Sequence, residues 1–531
     1  MLSEPTKNGS AFLKRASQAA GFSALLLLPD FSELTTSGIA RLHTAVPLTG
    51  VAWANIFDVA IVALFTALVF AVLRRAPFWR AGKILVAVTI PLLLLRRNAF
   101  LLPFDFGTRL QIEIGAAAVV LLFVLYFMLP RAYDAIMQLG SAVLAGLGIF
   151  AVISCVQLLR YTFWQPGPQE VRTNLPARMN AHGPRIVWIV FDELAYLQTF
   201  GKRPADLNLP NFDSFRDTST LYTDVLPAGT KTAIALPALL LGKQVTHVEY
   251  TWSNRLIVKT VDNSAWHRFD GAQSILGNAH RDGWRTAVVG WFNPYCSMLK
   301  NEVNACYWIG WDGMEGPMSP YASLATNTFL PLKVLAEKFI VPGKSKRDTD
   351  AFLIASHRAS FEDLKARSLA TLEHSDADFI FLHLPIPHPP AIYSRHTGKF
   401  VDSSGASYLD SLALADRTLG ELMAAMEASP RWPETTVIVN GDHSWRVSLW
   451  RDNLHEWVPE DQQVSHGVFD PRPLVLVHAP AQSSPATVAT PFPLLQLHDL
   501  MERQLGKEDI PDAVRAVETE ASRPVVTGAH P

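Results

Sequence analysis

The chain has 531 residues and a formal net charge of −2. That length exceeds a single compact core, so two domains are expected, and the near-neutral balance gives no electrostatic case for a nucleic-acid partner. Hydrophobic residues make up 49% of the chain, high for a wholly soluble protein, because they crowd into the first 160 positions.

Four segments there, 52–73, 84–102, 112–130 and 135–159, each supply the ~20 mostly apolar residues of a bilayer span, the second with Arg96 and Arg97 at the interface. A fifth, 16–33, is interrupted by Pro29, Asp30 and Glu33, and no small-residue cleavage site follows it to make a signal peptide. Counting it gives about five spans, a membrane domain over 1–160 and two chain ends on opposite sides. Lys7, Lys14 and Arg15 precede the first span, and Arg74, Arg75, Arg80 and Lys83 follow the second, which marks those flanks as cytoplasmic. Arg96, Arg97 and Arg109 run against that pattern. The expectation is a multi-pass protein of the inner (plasma) membrane whose later part lies outside the cytoplasm. Cys155 reads as a small apolar residue of the last span. Cys296 and Cys306, ten apart, fit either a disulfide of an oxidising compartment or two buried thiols.

Residues 161–183 are rich in proline and polar residues and read as a juxtamembrane linker. From Pro184 the pattern changes. "RIVWIVFD", "WRTAVVGW", "FIFLHLP", "TTVIVNGD" and "PLVLVHA" read as buried strands. Between them, "ASYLDSLALADRTLGELMAAMEA" and "FPLLQLHDLMERQL" read as helices. Such alternation argues for an α/β sheet covered on both faces over 184–508, followed by a polar tail at 509–531.

Ligands of open α/β sheets gather beyond the carboxyl ends of the strands. Here those ends carry Asp192 and Glu193, Asp442 and His443, and His383 and His388, while His466 shortly precedes the last strand. One terminal aspartate is usually a cap or turn residue, and one histidine a satisfied polar group. Four such ends together point to a divalent-metal site, with oxygen and imidazole ligands that suit zinc and, nearly as well, manganese.

The region 184–508 resembles the alkaline phosphatase/sulfatase superfamily. "RIVWIVFDEL" is similar to the opening strand of sulfatases, which ends in an acidic metal-binding pair. "LPNFDSFRDTSTLYTDVLPAGTKTAIALPALLLG" is similar to the segment that leads to their nucleophile and the helix after it, "DGWRTAVVG" to a later strand, and "NGDHS" to the second metal cluster. In sulfatases the modified residue lies ten before the final glycine of that helix. Membrane phosphoethanolamine transferases place their nucleophile at the second threonine of a similar motif. Both relations select Thr232.

The resemblance implies an N-terminal multi-span helical membrane domain followed by an alkaline-phosphatase-like three-layer α/β/α domain. It implies a metal held by Asp192, Glu193, Thr232, Asp442 and His443, with the choice between Asp192 and Glu193 open. His388 and His466 would contact substrate or a second metal; His383 is the weaker match. The metal would be zinc, with manganese, calcium or magnesium as alternatives. A threonine hydroxyl has a very high pKa, and coordination to a dication makes its alkoxide accessible near neutral pH.

Departures select among subfamilies. Sulfatases need Cys or Ser at the nucleophile with Pro and Arg shortly after, where this chain has Thr232, Ile234 and Leu236, and their "GKWH" sulfate clamp is replaced by "GWFN". The expectation is a membrane-bound phosphoryl-group transferase of phosphoethanolamine or phosphoglycerol type, acting on envelope lipids or glycans. The alternatives are a tethered phosphodiesterase or phosphatase, a sulfuric ester hydrolase, and a degenerate non-catalytic member.

Overall fold

The computed structural model describes residues 7–36, 39–42, 44–75, 79–98, 108–172, 184–310, 317–340, 344–452, 457–465 and 469–506. They form two compact units, one drawn from 1–37, 47–165 and 314–336, the other from 38–46, 166–313 and 337–531.

The first unit is helical: α1 (Lys7–Thr36), α2 (Thr49–Leu73), α3 (Trp79–Arg97), α4 (Thr108–Met128), α5 (Pro130–Gly146) and α6 (Gly148–Leu159). Three stretches, Thr49–Leu73, Arg109–Met128 and Pro130–Thr162, are long and apolar enough to cross a membrane. The outer faces expose Leu64, Leu68, Phe127 and Leu139, which is costly in water and neutral in lipid, so the unit is a multi-pass membrane anchor. α1 packs against α2, α5 and α6. At Gly21 a Cβ would lie 2.6 Å from the Gly148 backbone nitrogen, so only a glycine there lets α1 and α6 meet backbone to backbone. Two of the charges that weakened the predicted spans answer each other: Asp30 of α1 pairs with Arg97 of α3 at 2.5 Å.

The segment 314–336, expected within the later domain, groups with the helical unit instead. Its Met318 is fully buried and its sulfur receives the Asn55 amide at 3.5 Å. Such long-range packing has no local signature in sequence.

The second unit is built on a nine-stranded sheet: β1 (Glu170–Arg172), β2 (Arg185–Phe191), β3 (Thr220–Tyr222), β4 (Thr286–Trp291), β5 (Ala305–Ile309), β6 (Phe379–Leu384), β7 (Thr435–Gly441), β8 (Val475–His478) and β9 (Ala486–Val488). Their order is β1-β5-β4-β6-β2-β7-β8-β3-β9. β2, β6 and β7 run parallel at the centre, with every residue of each buried. Burial on both faces is why they read as continuous apolar runs. The edge strand β1 falls inside the predicted linker; three residues are too few to show a period in sequence.

Helices cover both faces. Val187, Ile189 and Phe191 share a core with Phe361 and Leu364 of α9 (Lys344–His374) and Leu412 and Leu419 of α10 (Tyr408–Glu427). On the other face, Thr436, opposite Ile186 in register, receives a hydrogen bond from Gln504 of α12 (Gln496–Leu505). This is the three-layer α/β/α arrangement of alkaline phosphatases. Cys296 and Cys306 form a disulfide, which ties the short helix Tyr295–Met298 to β5 and resolves the alternative left open by spacing.

Candidate active site

The parallel register brings the carboxyl ends of β2, β6 and β7 together. Leu384 and Gly441 are both level with Phe191, so Asp192 and Asp442 leave adjacent strands side by side. Both are fully buried. Asp442 Oδ1 accepts the Glu193 N–H at 3.2 Å.

His383 lies within β6, level with Val190, and its Nε2 is 3.6 Å from Asp192 Oδ2. Oxygen and nitrogen atoms of Asp192, His383 and Asp442 all lie within 4.8 Å of one another. Asp192 Oδ1, Asp442 Oδ2 and His383 Nε2 are buried without a hydrogen-bond partner. Three converging, unsatisfied lone pairs in one dry pocket are costly unless a cation takes them, so the residues fit a divalent metal.

The histidine tautomers fit as well. The carbonyls of Trp291, Ser444 and Pro389 accept from Nδ1 of His383, His443 and His388, at 2.9, 2.9 and 2.6 Å. A carbonyl only accepts, so each Nδ1 carries hydrogen and each Nε2 offers its lone pair. His443 Nε2 lies 3.3 Å from Asp442 Oδ2 and 3.7 Å from Asp192 Oδ1. Burial lowers the His383 pKa to about 4 and holds that of His388 well below the ordinary range, so both rings are neutral near pH 7. Burial, then the neighbouring Asp442, pushes the Asp192 carboxyl well above the ordinary range.

Thr232 is the first residue of α7 (Thr232–Leu241). Its hydroxyl donates to Asp192 Oδ2 at 3.0 Å and lies 3.3 Å from His443 Nε2. The ordinary alternative, a helix-capping threonine, fails here: Lys231 is the N-cap and makes no side-chain cap. Thr232 is 3% exposed.

The predicted residues Asp192, Glu193, Thr232, His388, Asp442 and His443 thus converge on one site. His466 lies outside the described residues. Glu193 stands beside Asp192 and within ligand distance of His388, but both its carboxylate oxygens are engaged, one by Arg446 and one by Trp450 Nε1 at 2.7 Å. His383, read from sequence as the weaker of the two histidines at its strand end, is brought to the same site. Two residues had little or no sequence signal. Arg446 follows "NGDHSW" by one position. Asn293, buried and donating to the Thr232 carbonyl at 3.5 Å, stands in the clamp segment.

A family model described as Sulfatase matches residues 184–462, more than half of the chain. The chain belongs to the sulfatase family. No sequence among curated proteins matches it. Solved structures similar to it include Ps i-CgsB in complex with k-i-k-neocarrahexaose (14% identity, 63% of this chain and 74% of that one, TM-score 0.39). The lipoteichoic acid synthase LtaP from Listeria monocytogenes is 13% identical over 63% of this chain and 76% of its own, with a TM-score of 0.37. The phosphonate monoester hydrolase of Agrobacterium radiobacter is 14% identical over 61% and 74%, with a TM-score of 0.35. With its metal-ligand cluster beside Thr232, this sulfatase-family chain is a metal-dependent hydrolase or transferase.

Proposed function

We propose that this enzyme transfers a phospho-alcohol group, of phosphoethanolamine or phosphoglycerol type, from a lipid to an envelope lipid or glycan, with Thr232 as nucleophile. One observation carries the reading: a buried threonine hydroxyl at a helix N-terminus, 3.0 Å from Asp192 and 3.3 Å from His443, beside three unsatisfied metal-ligand atoms. Neither Cys nor Ser is present there to become formylglycine, which disfavours sulfuric ester hydrolysis.

The residues divide the work. Thr232 Oγ attacks phosphorus, a Thr–O–P bond forms, and the bond to the departing lipid alcohol breaks. Asp192 Oδ2 is positioned to accept the hydroxyl proton. N–H groups at the start of α7 face negative charge growing on the phosphoryl oxygens. An acceptor hydroxyl then displaces Thr232 and takes the group. Asp192, Asp442, His383 and His443 would hold the metal, zinc being the best match. The metal would lower the pKa of the threonine hydroxyl and offset developing charge. The anchor supports a lipid donor, and the disulfide supports placement outside the cytoplasm.

Mass spectrometry of envelope lipids and glycans, with and without the protein, tests the proposal. A phospho-alcohol adduct that disappears with the protein, and with Thr232→Ala at unchanged metal content, is the expected result. Free phospho-alcohol or phosphate with no modified acceptor would make the enzyme a hydrolase. Full activity of Thr232→Ala on phosphodiesters would remove Thr232 from the chemistry.

A further inference from the structure

Transfer of a phosphoryl group needs a cation for the non-bridging oxygens. In the segment where sulfatases place lysine and histidine, this chain has Trp291, Phe292 and Asn293, none of them charged. A positive group must come from elsewhere.

Arg446 meets that need. It directly precedes the short helix α11 (Val447–Asp452) and follows His443 by three residues. Its Nε donates to Glu193 Oε1. Its Nη groups donate no hydrogen bond among the described residues, and its side chain remains 20% exposed. Burial opposes its charge, while Glu193, Asp192 and Asp442 favour it. The same charge acts on His388. The guanidinium is therefore anchored by one nitrogen and felt throughout the site, with its fork unclaimed. Planar forks of this kind bind phosphoryl oxygens in pairs.

The anchor is itself over-determined. Glu193 is fully buried and adopts φ 66°, a left-handed conformation that is strained for a non-glycine residue. Its N–H donates to Asp442, its carbonyl accepts the Tyr408 hydroxyl at 2.6 Å, and Trp450 holds the carboxylate oxygen that Arg446 does not. Strain maintained by these three distant contacts aims the carboxylate at Arg446.

We propose that Arg446 is the anion-binding residue of this site, taking the non-bridging oxygens of the phosphoryl group, with Glu193 and Trp450 as its positioning residues. The assignment rests on the phosphoryl-transfer reading above. The test is titration calorimetry of the metal-loaded full chain in detergent with inorganic phosphate, with metal content measured in parallel. Arg446→Ala is expected to weaken phosphate binding by on the order of 10- to 100-fold, the range of a charge-assisted hydrogen-bond pair, with metal content unchanged. Arg446→Lys should recover only part of that, because an ammonium cannot present the fork. Trp450→Phe keeps every charge and should weaken binding a few-fold, raising KM more than it lowers kcat.

Phosphate binding that is unchanged in Arg446→Lys and Trp450→Phe would overturn the assignment even if Arg446→Ala failed to fold. Loss of a metal equivalent in Glu193→Gln would overturn the positioning role, since Glu193 would then be a ligand. If the wild type neither binds phosphate nor cleaves phosphodiesters, the phosphoryl-transfer reading fails with it. If the wild type binds phosphate and Arg446 makes no difference, this inference fails alone.

Discussion

Asp192 is central to both metal binding and pH response. In the metal-free site, burial and Asp442 raise its pKa, so it keeps a proton where an ordinary carboxylate has lost it. A metal must displace that proton. Metal uptake should therefore release protons and tighten as pH rises, which calorimetry in two buffers of different ionisation enthalpy would measure. His383, with a pKa lowered to about 4, is already neutral and adds little above that pH. The stability consequence has a definite sign. A carboxyl with a raised folded pKa contributes its stability below the ordinary value of about 4 and loses it as pH rises through the folded value. Chelator-treated protein should lose melting temperature as pH rises above the ordinary carboxylate range, and metal-loaded protein should not. A chelated protein that grows more stable above that range would rule out a protonated Asp192. Asp192, Asp442 and His443 were legible because strand ends collect ligands. His383 was legible only as the weaker candidate, because a histidine inside "FIFLHL" has the look of a satisfied core residue until β6 is set in register with β2. The engagement of Glu193 was not legible, since its partners lie more than 250 residues away in sequence.

At the scale of elements, α7 carries the nucleophile and must stop where it does. Gly242 caps it at φ 63°, and a Cβ there would come within 2.7 Å of the His498 ring on α12. Gly242→Ala should therefore cost the ~1–2 kcal/mol of a left-handed alanine plus the clash. Gly398 makes the control: its φ is 68°, and the nearest atom to a Cβ is the Tyr393 hydroxyl at 3.9 Å. Thermal unfolding should fall further for Gly242→Ala than for Gly398→Ala, and equal losses would mean that α12 yields freely. The central strands and the helices over 408–427 and 496–505 were readable because burial on two faces, or on one stripe, leaves a period in sequence. The three-stranded antiparallel sheet of Val245–Tyr250, Leu256–Thr260 and His267–Arg268 left none. Its first strand, "VTHVEY", is half exposed and rich in polar residues.

The whole molecule raises the question of which side of a membrane its later residues occupy. Each of the five predicted segments coincides with a long helical stretch, and three of those stretches are long and apolar enough to cross a bilayer. Asp30 had weakened the first segment, and Arg97 ran against the charge pattern of the loops. Paired with each other inside the helical unit, they carry no net charge, so neither counts as a loop charge. Arg96 and Arg109 still run against the pattern, but the basic cluster Arg74, Arg75, Arg80 and Lys83 after α2 outnumbers them and favours the cytoplasm. If α3 crosses as the sequence reading expects, three passages follow that loop and the residues after 165 are expected on the opposite side; of the three, Arg109–Met128 and Pro130–Thr162 are long and apolar enough to cross by themselves, so the side turns on α3. A Cys296–Cys306 disulfide is what an oxidising compartment permits, and it is consistent with that expectation. A reporter active only outside the cytoplasm should therefore report when fused after Arg172 and stay silent when fused within 76–83. The reverse reporter should give the reverse result. Should both fusions report on one side, α3 does not cross, and a lipid donor would have to be drawn from the other leaflet.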